Sequence, residues 1–238
     1  MSLTGHSEAA LEAALPAPIV VRRIRSAKRL RLRFDERSRT FSLTCPWRMC
    51  RRTALAWAVD QREWIEGQLA RAVPGLPFVP GSTLPVNGQT VTVVWDPNAR
   101  RKPALGAGEL RVGGPLTSLP RRIETFLKAH ALEVMSRDVA DYAAVIDVKA
   151  AGVSVGDAGT RWGSCSSKGR IRLSWRLICA PVDVRRFVVA HEVAHLVHLD
   201  HSTRFKALEA KLYGPGLQQA RSELRRIGPR LRRIGLSN

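Results

Sequence analysis

The 238-residue sequence predicts an α+β fold, a β-rich N-terminal region followed by a helix-rich domain that carries the chemistry. Three observations support this. Apolar residues alternate with arginines over residues 19–44 and alternate again beyond Asn87-Gly88, as half-buried strands require. Residues 119–142 put Ile123, Phe126, Leu127, Ala131, Val134 and Met135 on one side of a helix. A β-patterned stretch over residues 153–178 then runs directly into a helical stretch holding His191, Glu192 and His195.

Taken in order, residues 1–18 read as a flexible tail ending at Pro16 and Pro18. Glu8 and Glu12 interrupt its alanine-rich stretch, so the basic-then-apolar order of a signal peptide is missing and a cytoplasmic protein is expected. Residues 19–75 read as a small β-sheet plus helix module. Val21, Ile24, Leu30, Leu32 and Phe34 mark two strands around a turn near Ser26, and a turn at 35–38 leads to a third strand over 40–44. A helix follows over 51–73, with Thr53 as its cap. Trp57 and Trp64, seven apart, read as core. Residues 76–116 are rich in turn signals, above all Asn87-Gly88 between two apolar runs, and read as a β-hairpin-rich region.

Residues 117–238 form the expected catalytic domain. After the helix over 119–142, Ile171, Leu173, Trp175 and Leu177 face one side of a strand over 170–178, with Arg170, Arg172, Ser174 and Arg176 on the other. Helices are expected over 183–198, with Asp183 as cap, and over 202–213. A basic helix from Leu217 is expected to be interrupted at Gly228-Pro229. His130 has no histidine at metal spacing and reads as a surface residue.

The formal charge of +19 is concentrated. Residues 22–52 carry twelve Arg or Lys against Asp35 and Glu36, and residues 221–233 carry six Arg against Glu223. Such a field attracts nucleotides or nucleic acid, although arginines alternating along a strand also describe its wet face. No apolar run approaches the roughly 20 residues that span a bilayer, so no membrane partner is expected. Cys45, Cys50, Cys165 and Cys179 form no C-x-x-C pair, which excludes a cysteine ribbon and leaves reduced thiols.

The chemistry centres on His191-Glu192-x-x-His195. Histidines four apart lie one above the other on a helix, and the glutamate sits about 100° round from the first ring. This is the H-E-x-x-H arrangement that binds one Zn2+ ion and uses the glutamate as general base. A third ligand is needed. His198 on the same straight helix spreads the set over about 10 Å of rise, so His201, beyond a turn, converges more easily. Glu209 on the following helix is a further alternative. Arg161, Ser164 and Tyr213 are alternative donors to a developing oxyanion. Trp162 joins them as a substrate contact or shapes a packed corner. Cys165 raises a thiol mechanism, disfavoured because the histidine it needs is given to metal.

Residues 160–165 (Thr-Arg-Trp-Gly-Ser-Cys), the strand 171–178, Ala180-Pro181, residues 188–196, His201-Ser202 and Phe205 together resemble the bacterial YgjP-like metal-dependent hydrolases, relatives of SprT-like and Wss-type zinc metallopeptidases. The resemblance implies a zincin-like catalytic domain of helices plus a small antiparallel sheet, with His191, His195 and His201 as ligands and Glu192 catalytic. The family usually has Asn-His where this chain has Asp200-His201, Phe-Trp at Phe205-Lys206, and often Asn-Trp at Ser174-Trp175. These departures bear on the rim rather than the ligands. The leading expectation is a zinc metallopeptidase acting on a peptide or protein. The alternatives are a phosphohydrolase acting on nucleotides and a DNA-associated protein with a SprT-like site.

Overall fold

In the computed structural model, which describes residues 7–36, 38–157 and 159–236, the arginine-rich alternation becomes a three-stranded sheet. Residues 1–6 of the expected tail, Arg37 of the expected turn at 35–38 and Ala158 of the loop before Gly159 lie outside the described residues. Strands β1 (Ile19–Ile24), β2 (Arg31–Asp35) and β3 (Thr40–Pro46) pair in the order β1-β3-β2, parallel for β1 and antiparallel for β2. The register puts Ile19, Val21, Leu32, Phe34, Phe41, Leu43 and Cys45 on one face. That face packs on Leu55, Ala58 and Ile65.

Several local expectations change here. The helix expected over 51–73 is two helices, α2 (Arg51–Asp60) and α3 (Arg62–Arg71), because Gln61 leaves helical geometry at φ −92°, ψ 17°. The α2 cap is Cys50, whose sulfur accepts from the Thr53 N–H at 3.4 Å; Thr53 lies inside the helix. Residues 8–13 of the expected tail form helix α1 (Glu8–Ala13), started by Ser7 accepting from the Ala10 N–H. Leu11 on the helix and Leu15 just beyond its end are buried in the same core. This unit ends at Pro74.

The second unit begins at Gly75. Strands β4 (Thr83–Val86), β5 (Gln89–Trp95), β6 (Ala104–Gly106) and β7 (Glu109–Val112) form a sheet ordered β4-β5-β7-β6. Asn87 and Gly88 have φ of 49° and 81°, the left-handed pair that a two-residue hairpin needs. Helix α4 (Leu119–Val145) buries Ile123, Leu127, Ala131, Met135 and Val139 along one stripe. Strands β4, β5 and β7 share a single core with α4 and the later helices, so residues 76–116 are not a separate body.

The third sheet combines β8 (Gly152–Gly156), β9 (Gly163–Cys165) and β10 (Arg170–Ser174) in the order β8-β10-β9. It is mixed rather than antiparallel: the link after β8 carries the chain past a gap that β10 fills, parallel to β8 and antiparallel to β9. The strand expected to reach 178 stops at Ser174. Trp175–Cys179 is a 3-10 turn whose five side chains are all buried. Arg176, expected on the wet face, turns inward, pairs with Asp157 and donates to the Ile234 carbonyl at 3.0 Å.

Helices α5 (Val182–Ala194), α6 (Thr203–Tyr213) and α7 (Leu217–Arg232) complete the unit. Asp138 of α4 ties α5 down, accepting from Arg185 at 2.8 Å and from Arg186 at 3.1 Å. Helix α7 runs unbroken through Gly228-Pro229, although Pro229 has no N–H to give to the preceding turn. No described helix is long and apolar enough to cross a membrane.

Candidate metal centre

Helix α5 starts after Pro181 with Asp183 in its first turn and ends one residue before His195. The early end moves His198 off the helix. Its backbone carbonyl, not its ring, meets the site, accepting from His195 Nδ1 at 2.9 Å. The chain then reverses. Asp200 accepts from the Ser202 N–H at 3.2 Å, and the Ser202 hydroxyl accepts from the Phe205 N–H to start α6. This turn brings the His201 ring back to His191 and His195, with centroids 5.3 and 4.8 Å away. The ligating atoms of the three histidines lie within 4.8 Å of one another. Phe205 closes the cluster, its ring 4.4–5.1 Å from all three imidazoles.

Each helix-borne ring is held from behind. Glu209 Oε1 accepts from His191 Nδ1 at 2.8 Å, and Arg221 donates to Glu209 Oε2 at 2.7 Å. Because a carboxylate and a carbonyl only accept, the Nδ1 atoms of His191 and His195 each carry a proton, which leaves Nε2 as the atom either ring can offer to a metal. The Nε2 of His191 faces His201 Nε2 at 3.4 Å, a spacing at which both atoms can ligate one cation. Three converging imidazoles, two of them hydrogen-bonded at Nδ1, fit a bound metal ion. Burial lowers the pKa of His195, which favours the neutral ligand form. Burial would raise Glu209, but the bonds from His191 and Arg221 outweigh it and hold this carboxyl below its usual range. Glu209, one alternative third ligand, therefore orients His191.

Glu192 faces the other wall. It is 4% exposed, its Oε2 has no hydrogen-bond partner, and burial pushes its pKa up to about 7 against the nearby His191 and Arg161 charges. Gly163 of β9 makes room for it: a Cβ there would lie 2.6 Å from Glu192 Cγ. Beside them is a cavity of about 290 Å3, lined by Arg161, Trp162 and Gly163, by Phe187 and Val188 of α5, and by Leu224 of α7.

Of the expected substrate contacts, Arg161 and Trp162 reach this cavity. The Trp162 ring is wedged between Gly228 and the Arg232 guanidinium, 4.5 Å from its centre. Ser164 does not line it. It follows Gly163 on a strand and so points to the opposite face. Tyr213 does not line it either; its hydroxyl donates to the Asp183 carbonyl, two helical turns before His191. Burial and the Glu192 charge both push the Cys165 thiol up, away from a thiolate. His130 stacks on Phe126 and is half-buried rather than a surface residue. Sequence reasoning missed Arg221, and it carried Gly163 only within the 160–165 motif, not as the neighbour of Glu192. Nothing local distinguishes Arg221 from the other arginines of residues 221–233.

The family model described as YgjP-like, metallopeptidase domain, matches residues 28–227. Among solved structures, the chain is similar to the crystal structure of the metallopeptidase zymogen of Pyrococcus abyssi abylysin. That likeness is 19% identical with a TM-score of 0.36, over 42% of this chain and 97% of that one. No curated protein matches the chain.

Proposed function

The chain belongs to the YgjP-like family of metallopeptidases, and we propose that it cleaves peptide bonds with one zinc ion held by His191, His195 and His201 and with Glu192 as general base. The observation that supports this reading most is the convergence of three imidazoles, two of them held at Nδ1.

A bound zinc ion would act as a Lewis acid, acidifying a water and polarising the scissile carbonyl. Glu192, kept in place by Gly163, takes the proton from that water and returns it to the leaving amine. Arg161 supplies positive charge beside the developing oxyanion. Strand β9 is one of the two edge strands of its sheet and carries Gly163 against Glu192, so an extended peptide can pair along it with its scissile bond near Glu192. Phe187, Val188 and Leu224 would receive an apolar side chain next to that bond.

The test is metal content measured beside turnover. Purified protein should hold about one zinc per chain, and His191→Ala should lose it. Glu192→Gln should keep the metal while peptide turnover falls about 10²- to 10⁴-fold. Wild-type protein without stoichiometric metal, or full turnover in Glu192→Gln, sinks the reading. Running the same pair against nucleoside triphosphates tests the phosphohydrolase alternative.

A further inference from the structure

A second feature, separate from the histidine cluster, stands on the N-terminal sheet. Arg23, Arg25, Trp47 and Arg48 line one cavity of about 620 Å3. Trp47 follows the end of β3 and is 48% exposed. The Arg25 and Arg48 guanidinium carbons sit 5.9 and 5.3 Å from the centre of its ring. Among the described residues no carboxylate pairs with Arg23, Arg25 or Arg48, whereas Arg51 close by is paired with Glu8 and Glu12. Three uncompensated guanidinium groups in one concavity repel one another and focus a positive potential that an anion relieves. The exposed indole adds a flat apolar surface for something planar.

The opposite sheet face, turned away from the one on which Arg23 lies beside Cys45, is a separate basic surface. Its register sets Arg22, Thr44 and Arg31 on one rung and Val20, Ser42 and Arg33 on the next. Hydroxyls run down the middle strand, with arginines on the flanking strands. A ligand matching the guanidinium groups and the indole of the Trp47 concavity needs closely spaced negative charges and planar groups free to stack. A duplex hides its bases, and an acidic peptide has no obligatory planar group. A single strand offers both, with phosphates for guanidinium groups and bases for an aromatic face. We propose that the face around Trp47 binds single-stranded nucleic acid, with a base on the indole and phosphates on Arg23, Arg25 and Arg48.

The test uses the full chain with labelled oligothymidylate and oligouridylate of about twelve residues, a duplex of equal length and polyglutamate, followed by fluorescence anisotropy across a salt series. Binding of either single strand is expected, and the two oligonucleotides show which sugar is preferred. Trp47→Ala should weaken it about 5- to 100-fold, and Trp47→Phe, which keeps an aromatic face, should retain most of it. Neutralising Arg23, Arg25 and Arg48 to Gln together should flatten the log-log salt slope by about 2. The proposal fails if the wild type binds no single strand at low salt. It also fails if Trp47→Ala binds as tightly as wild type, or if duplex or polyglutamate competes equally well.

Discussion

In the C-terminal unit, arginines next to the site turn inward onto carboxylates. Arg185 and Arg186 close on Asp138, Arg176 closes on Asp157, and Arg221 closes on Glu209 behind His191. In the N-terminal unit, Arg22, Arg23, Arg31 and Arg33 stand exposed. The same residue type thus does two jobs, and what separates them is an acidic partner from another element. Where a carboxylate meets the guanidinium, arginine fixes a helix or a ligand. Where none does, the charge remains available to a ligand from outside. A net charge of +19 is therefore a poor guide to binding until its members are sorted by partner.

The largest effect that tests this contrast is on the α4–α5 clamp. Asp138→Ala leaves Arg185 buried and unpaired and should cost about 3–5 kcal/mol in urea denaturation. Asp138→Asn, which keeps part of the hydrogen bonding, should cost less. A loss below about 1 kcal/mol would mean the inward arginines are no more structural than the exposed ones.

Next is the contact that keeps Glu192 in place. Gly163→Ala drives a Cβ into the Glu192 side chain, and because Glu192 is buried it cannot swing clear. Turnover should fall on the order of 10²-fold with metal content unchanged, as measured by steady-state kinetics beside metal analysis. Glu209→Ala removes the acceptor behind His191 and should weaken zinc about 10- to 100-fold in a chelator competition. A result equal to wild type would make the Arg221–Glu209–His191 chain a packing detail.

The smallest effect belongs on the exposed side. Glu8→Ala breaks an exposed ion pair with Arg51 and should change stability by less than about 1 kcal/mol, with the difference shrinking further as salt rises. A larger loss would mean that the N-terminal charges also hold the fold.

Elements with a strong local signal were legible. The Asn87-Gly88 turn, the α4 stripe and the pairing of His191 with His195 each follow from residues within a few positions of one another. Element ends were read less well. Trp175 and Leu177 continue the alternation of β10, yet the chain leaves the sheet at Ser174 because all of residues 175–179 find partners inside, Arg176 among them. Pro229 looked like a break, but α7 continues past it with Trp162 packed on Gly228. On a helix straight through residue 198, the rise along the axis would keep His198 from converging with His191. His198 stays out of the cluster for another reason: the helix ends early and turns its carbonyl, not its ring, to the site.

By itself the sequence determined the α+β character, the helix that carries His191, Glu192 and His195, and the concentration of charge, because periodicity, turn residues and composition are local properties of a chain. Only the tertiary structure decided that His201 joins the two helix-borne rings, that Glu209 and Arg221 stand behind His191, that Gly163 faces Glu192, and which arginines find a carboxylate. Those outcomes depend on groups from different elements meeting within a few ångströms, which packing sets and sequence spacing does not.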